Sequence, residues 1–218
     1  MAKLTVRHTE KSDIEALIAL QGRIYPAIAA WQHERVIDQL DIFPQGQVVA
    51  LYDDRIVGCA SSMIVQWDDW SSLHTWSEIT AAGSFDNHAP MGRTLYGAEV
   101  FVDPKLRGHR VGHALYDARR KLCKRMNLKR IIACGRLPGY HRHAGDMSVE
   151  TYAKRVVWGD FQDPVLGFQL RESFDFCGVI ENYLPEDKDS CGHASLIVWL
   201  NPQYEPDKPT WIPPGAAL

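Results

Sequence analysis

The stretch from Tyr96 to Met126, YGAEVFVDPKLRGHRVGHALYDARRKLCKRM, sets the terms for any fold this chain can adopt. It opens as an alternating apolar strand, crosses Asp103-Pro104 and turns on Arg107 to Gly112. It then enters a basic helix with Val111, Leu115, Ala118, Leu122 and Met126 on one apolar stripe. A strand, a glycine-bearing loop and a helix start together leave backbone N–H groups free for a phosphate. Arg130 to Cys134 reads as a second strand, so the unit predicts a parallel pair joined by a right-handed crossover. Strict alternation in Leu95 to Val102 puts Leu95, Gly97, Glu99 and Phe101 on one face, and Tyr96, Ala98, Val100 and Val102 on the other.

The flanking sequence supplies the rest of a sheet. Lys3 to His8 alternates as a strand, and Thr9 to Asp13 offers cap residues before a helix bearing Ile14, Leu17, Ile18 and Ile24 and ending near Pro26. A second helix spans Gln32 to Leu40 and stops at Phe43-Pro44. Gln47 to Tyr52 and Arg55 to Val65 form a hairpin about Asp53-Asp54. After the crossover, Gly135 to Gly145 is a loop rich in Arg, His and Gly. Ser148 caps a helix to about Trp158, and Asp163-Pro164 starts another to about Glu172. Phe174 to Asn182 and Ala194 to Leu200 are final strands. The order predicts an α+β domain over 1–200, built on a mixed, mostly antiparallel sheet with helices. Insertions lie at about 66–94 and 137–163, and the tail 201–218 carries five prolines and is expected extended on the surface or disordered.

Bulk properties narrow the partners. A net charge of −3 gives no global attraction to nucleic acid or an anionic membrane. No apolar run reaches the roughly 18 residues of a membrane span, and the N-terminus lacks a signal-peptide pattern. Five scattered cysteines without a C-x-x-C pair suggest free thiols in a reducing, cytoplasmic setting. Cys and His do not stand at zinc-ligand spacing, so no metal is expected. The cations from Arg119 to Arg130 read as a solvated helix face or an attractor of phosphates. Trp67, Trp70 and Trp76 fit core packing, a homodimer contact or the wall of a pocket.

The residues Val100 to Leu115, VFVDPKLRGHRVGHAL, resemble the coenzyme A-binding motif Q/R-x-x-G-x-G/A of the GNAT N-acetyltransferase superfamily, and the element order agrees from Lys3 to about Leu200. Gly135 to Tyr140, Tyr152 and Asp163 to Leu166 resemble the acetyltransferase-like domain often fused ahead of a carbon–nitrogen hydrolase domain, although no hydrolase segment follows within these 218 residues. The resemblance implies a bulged central strand splayed from its parallel neighbour, with acetyl-CoA as co-substrate and an amine of a small molecule or peptide as acceptor. It places the pyrophosphate on the backbone of Arg107, Gly108, His109, Arg110, Val111, Gly112 and His113. The acyl and pantetheine groups fall on the backbone of Val100, Phe101 and Val102. Glu99 is the implied general base. Arg110 departs from the motif's middle glycine, so it either adds a contact to phosphate or obstructs the turn. The family's leaving-group tyrosine is replaced by Gln169 beside Phe168, which leaves Tyr140 or Tyr183 as substitutes. Arg136, His141 and Arg142 would recognise an acidic acceptor or form a solvated loop. A non-catalytic CoA-binding domain is the alternative reading.

Overall fold

The computed structural model describes residues 3–26, 30–70 and 74–210. β1 (Leu4–His8) leads into a 3-10 turn held by Asp13, whose carboxylate accepts the Glu10 N–H at 2.8 Å and pairs with Arg7. α1 (Ile14–Ile24) and α2 (His33–Ile42) follow. β2 (Gln47–Tyr52) and β3 (Arg55–Val65) are joined by Asp53 and Asp54, both at positive φ, the backbone that a two-residue hairpin needs to match strand twist. The 66–94 connection contains α3 (Trp76–Ile79), started by a reciprocal Thr75–Glu78 capping box. β4 (Thr94–Val102), α4 (Val111–Arg125) and β5 (Arg130–Arg136) make the crossover. α5 (Val149–Val157), capped by Ser148, α6 (Leu166–Arg171), β6 (Asp175–Ile180) and β7 (Ala194–Leu200) complete the order.

The strands form one sheet in the order β1-β2-β3-β4-β5-β7-β6, antiparallel everywhere except β4 against β5. α1 covers one face through Leu17 and Leu20 against Val49, Cys59 and Phe101, and α2 packs on α1 through Val36 and Leu40. α4, α5 and α6 cover the other, where Leu122, Tyr152 and Leu166 meet Leu95, Ile131 and Ile197, and Leu115 meets Val48, Ala50 and Ala60. This is the mixed α+β sheet with helices on both faces that the element order predicts. Among the described residues no helix is long and apolar enough to cross a membrane.

One expectation needs correction. β5 continues through Gly135 and Arg136, so the loop after it starts later than the glycine content suggests. Over 201–210 the tail lies on the surface, tied down by hydrogen bonds. Asn127 donates to the carbonyls of Glu205 and Lys208 at 2.9 Å each, Arg93 donates to the Lys208 carbonyl at 2.7 Å, and Thr210 donates to that of Gly92 at 2.9 Å. The rest of the tail, 211–218, lies outside the described residues.

Candidate active site

The parallel pair is joined only at its start. Thr94 to Gly97 register with Arg130 to Ala133, and beyond that Ala98 to Val102 and Cys134 to Arg136 diverge into a wedge. The cause is a bulge in β4. Ser61 faces Glu99 and Ser62 faces Gly97, leaving Ala98 as the extra residue. That extra residue shifts the alternation by one, which corrects the two-face expectation for this strand. Leu95 and Val100 now share the α4 face, whereas Tyr96, Ala98 and Phe101 share the opposite face.

Side chains from both faces hold the bulge. The Trp76 indole N–H donates to the Ala98 carbonyl at 3.0 Å. From α4, the Arg119 guanidinium donates to the Ser61 carbonyl at 2.8 Å, the Ser62 hydroxyl at 3.0 Å and the Glu99 carbonyl. Gly97 makes the room, because a Cβ there would lie 3.1 Å from an Arg119 nitrogen. Arg119 is therefore buried rather than part of the solvated basic face read from the sequence.

Glu99 sits half-buried in the wedge and, among the described residues, makes no salt bridge; its Oε1 accepts the N–H of Val100 at 3.1 Å. Burial pushes its carboxyl up to about 7, with the Val100 hydrogen bond and the charges of Arg119 and Arg136 opposing that shift. Ladder parity explains why the Val100 N–H is available. Asp103 donates to the Val57 carbonyl at 2.7 Å, so alternate pairs down the ladder put the N–H groups of Val100 and Val102 toward β5, which has already departed.

At the rim of the wedge, the 3-10 turn Pro104–Leu106 is fixed by Asp103, and α4 begins at Val111 with no side-chain cap and no acidic residue in its first turn. The N–H groups of Val111, Gly112 and His113 thus carry the positive end of the helix. Gly108 takes a φ of +82° with open space around it, and Arg110 takes +61°. The backbone served by the motif's middle glycine is therefore kept by an arginine, at a penalty of roughly 1–2 kcal/mol. Arg110→Gly is expected to raise stability by about 0.5–1 kcal/mol after the extra freedom of the unfolded chain is counted, as urea denaturation will measure. Gly112 has a different task. A Cβ there would come within 3.0 Å of the Phe168 ring, so the missing side chain admits α6, while the backbone N–H stays at the helix start.

Not all of the expected acceptor residues are free. Arg136 pairs with the buried carboxylate of Asp187 and with Asp189 at 3.5 Å, and its guanidinium lies over the Tyr25 ring. Its charge is therefore already matched by carboxylates of the β6–β7 connection. His113 bonds Glu172 at 3.0 Å, and His141 contacts the carbonyls of Pro138 and Asp189. Arg142 is exposed. Tyr140 lies in the α4-side core and donates to the Met147 carbonyl at 3.1 Å, away from the cluster that flanks Glu99.

The sequence did not reveal a second cluster. The Tyr96 hydroxyl stands 2.7 Å from that of Tyr183, 3.4 Å from Cys134 Sγ and 3.4 Å from His74 Nε2. The His74 ring is enclosed edge-on by Trp67, Trp70, Tyr96 and Tyr183. Cys134 is the first β5 residue past the last parallel pair, and burial pushes its thiol up to about 12. The parts come from four distant segments, so no local spacing could have joined them. Gln169, at the family's tyrosine position, donates to the Tyr116 hydroxyl at 3.3 Å, and its Oε1 is buried without a donor.

A mixed seven-stranded sheet opened by a bulge, with an uncapped helix start at its rim, defines the GNAT fold. The chain belongs to the Acetyltransferase (GNAT) family, whose pattern matches residues 14–144. It is 40% identical over 206 residues to the Bacillus subtilis (strain 168) protein called Probable hydrolase YhcX, covering 94% of this chain and 40% of that protein's length. It is 35% identical to Uncharacterized N-acetyltransferase YkwB from the same organism, covering 93% of this chain and 91% of that one. Among solved structures, a GphF GNAT-like decarboxylase in complex with isobutyryl-CoA overlays with a TM-score of 0.75 and 26% identity, over 90% of this chain and 99% of that one.

Proposed function

We propose that this chain transfers an acyl group, most simply acetyl, from a coenzyme A thioester to an amine. The observation that carries the reading is the wedge itself: backbone donors at Val100 and Val102 with no strand opposite, beside a carboxyl poised near neutrality. Three features fit a coenzyme A group. They are the uncapped N–H groups of Val111, Gly112 and His113, the open space at Gly108, and the orphan acceptor of Gln169 beside the splayed β5. When bound, the thioester supplies an activated acyl carbon and a thiolate leaving group.

The helix start would hold a pyrophosphate oxygen, with Arg107 and Arg110 exposed beside it. The N–H of Val100 would orient the acyl oxygen. Glu99, as carboxylate, would accept the proton of an incoming ammonium, and a group with a pKa near 7 suits that transfer. The Tyr183–Tyr96 hydroxyl pair lies on the same sheet face as Glu99 and is the better-placed proton donor for the leaving thiolate than Tyr140.

A decarboxylase reading has one observation in its favour, the 26% identity to a GNAT-like decarboxylase across nearly the whole chain. It would release CO2 from a β-carboxylated acyl-CoA, with a proton taken up at the carbon left behind. Calorimetry with acetyl-CoA, followed by an amine panel and by malonyl-CoA, separates the two. Acetylated amine supports transfer, and CO2 without acetylation supports decarboxylation. No binding up to about 1 mM would reject both.

A further inference from the structure

We propose that Arg119 is a positioning residue for this site: its guanidinium polarises the Glu99–Val100 peptide, whose N–H faces the wedge and is held by the Glu99 carboxylate until an acyl oxygen replaces it. The inference rests on the reading of the wedge as an acyl site.

Arg119 is 4% exposed, and among the described residues no carboxylate lies within ion-pair distance of it. A buried guanidinium is costly unless every donor is used well. Its partners are carbonyl oxygens and one hydroxyl, all at the bulge, with the Tyr116 ring beneath at 5.7 Å. A neutral side chain would fill the Gly97 notch without burying charge. The charge therefore calls for an electrostatic account.

The geometry offers one. The Glu99 carbonyl and the Val100 N–H are two ends of a single peptide unit. A cation on the oxygen draws electron density along that unit and makes its N–H a stronger donor, because charge-assisted bonds strengthen their neighbours. At the other end, Glu99 Oε1 occupies the N–H at 3.1 Å. One carboxyl thus both covers the donor and is the candidate base. Displacement by an acyl oxygen would arm both together, since the carboxylate loses its backbone hydrogen bond and becomes more basic. Free coenzyme A has no acyl oxygen and would leave the cover in place.

The groups facing Glu99 are Arg119 from α4, Arg136 from β5, Cys59 from β3, Tyr25 after α1 and Tyr183 after β6. Removing the Arg119 charge must raise the carboxyl's pKa, so the acidic limb of a pH–rate profile, on which the base loses its proton, moves to higher pH.

The test uses the full chain with Arg119→Met and Arg119→Lys. For Met, the preference for acetyl-CoA over free CoA should fall about tenfold, as expected for loss of a charge-assisted hydrogen bond, while the CoA affinity itself stays within about twofold. The Lys variant should restore part of the preference. In the ligand-free protein, the Val100 amide proton resonance should titrate with the Glu99 carboxyl and move in Arg119→Met. That readout stands even if acyl-CoA proves not to be the ligand. Equal losses for CoA and acetyl-CoA, with an unmoved amide and pH limb, would reduce Arg119 to a structural pin and overturn the proposal. Should Arg119→Met not fold, Glu99→Ala tests the cover directly. Exposing the N–H should tighten acetyl-CoA relative to CoA, and no tightening overturns it.

Discussion

Glu99→Gln is expected to lower acyl transfer by about 10²–10⁴-fold, the usual worth of a positioned base, while making the folded protein more stable at alkaline pH. The second half follows from the raised pKa. The carboxyl titrates near 7 in the folded chain against an ordinary 4.5. Below the lower value both states are protonated and the buried group carries no charge. Between the two values the unfolded chain loses its proton while the folded chain keeps it, so stability falls as pH rises. Above 7 the full penalty of about 3 kcal/mol applies. A glutamine never ionises, so urea denaturation should show the variant matching the parent near pH 4 and exceeding it at pH 8. Equal differences at both pH values, together with undiminished transfer, would remove Glu99 from the mechanism.

Asp163→Ala should be the most damaging substitution away from the wedge, at about 3–5 kcal/mol. The Asp163 side chain is almost fully buried and accepts four donors: the N–H groups of Gly139 at 3.0 Å, Val165 at 2.9 Å and Leu166 at 3.0 Å, and the Tyr152 hydroxyl at 3.0 Å. It therefore caps α6 and ties the loop after β5 to α5 in one point. Alanine strands all four donors, and stranded donors are worth more in loss than the bonds are in gain. Asp163→Asn keeps one oxygen and should lose roughly half as much. Urea denaturation gives the magnitude. Amide exchange should localise the loosening to the segment carrying His141 and Arg142, and a uniform loss of protection would contradict the hub role.

The residues themselves show what was readable in the sequence. The crossover, the Asp53-Asp54 hairpin and the Ser148 and Asp163 caps depend on neighbours within a few positions, and each was legible. The alternation in β4 was read correctly up to Ala98 and wrongly after it. A bulge is a register event between two strands, and β4 alone does not contain it. Arg119 was misread for a related reason. Its place beside the apolar stripe is visible, but its burial depends on the notch left by Gly97, distant in sequence. Arg136 looked like a free cation because Asp187 and Asp189 reach it across the β6–β7 connection. That Gly112 also leaves room for the Phe168 ring was not legible, because Phe168 approaches from a helix more than fifty residues away.

The tail clasp has a mechanical consequence. Besides its bonds to Arg93, Gly92 and Asn127, the segment returns through Asn201, whose side chain donates to the Leu128 carbonyl at 2.8 Å and whose N–H donates to that of Lys129 at 3.0 Å. Every one of these contacts falls just before β4 or just before β5, where Arg130 also bonds Thr94. The two strands are consequently bolted together at one end and free at the other, like jaws about a pinned fulcrum. The width of the open end is therefore set by the outer neighbours, β3 holding Val102 and β7 holding Arg136, and not by any rung between the two jaws.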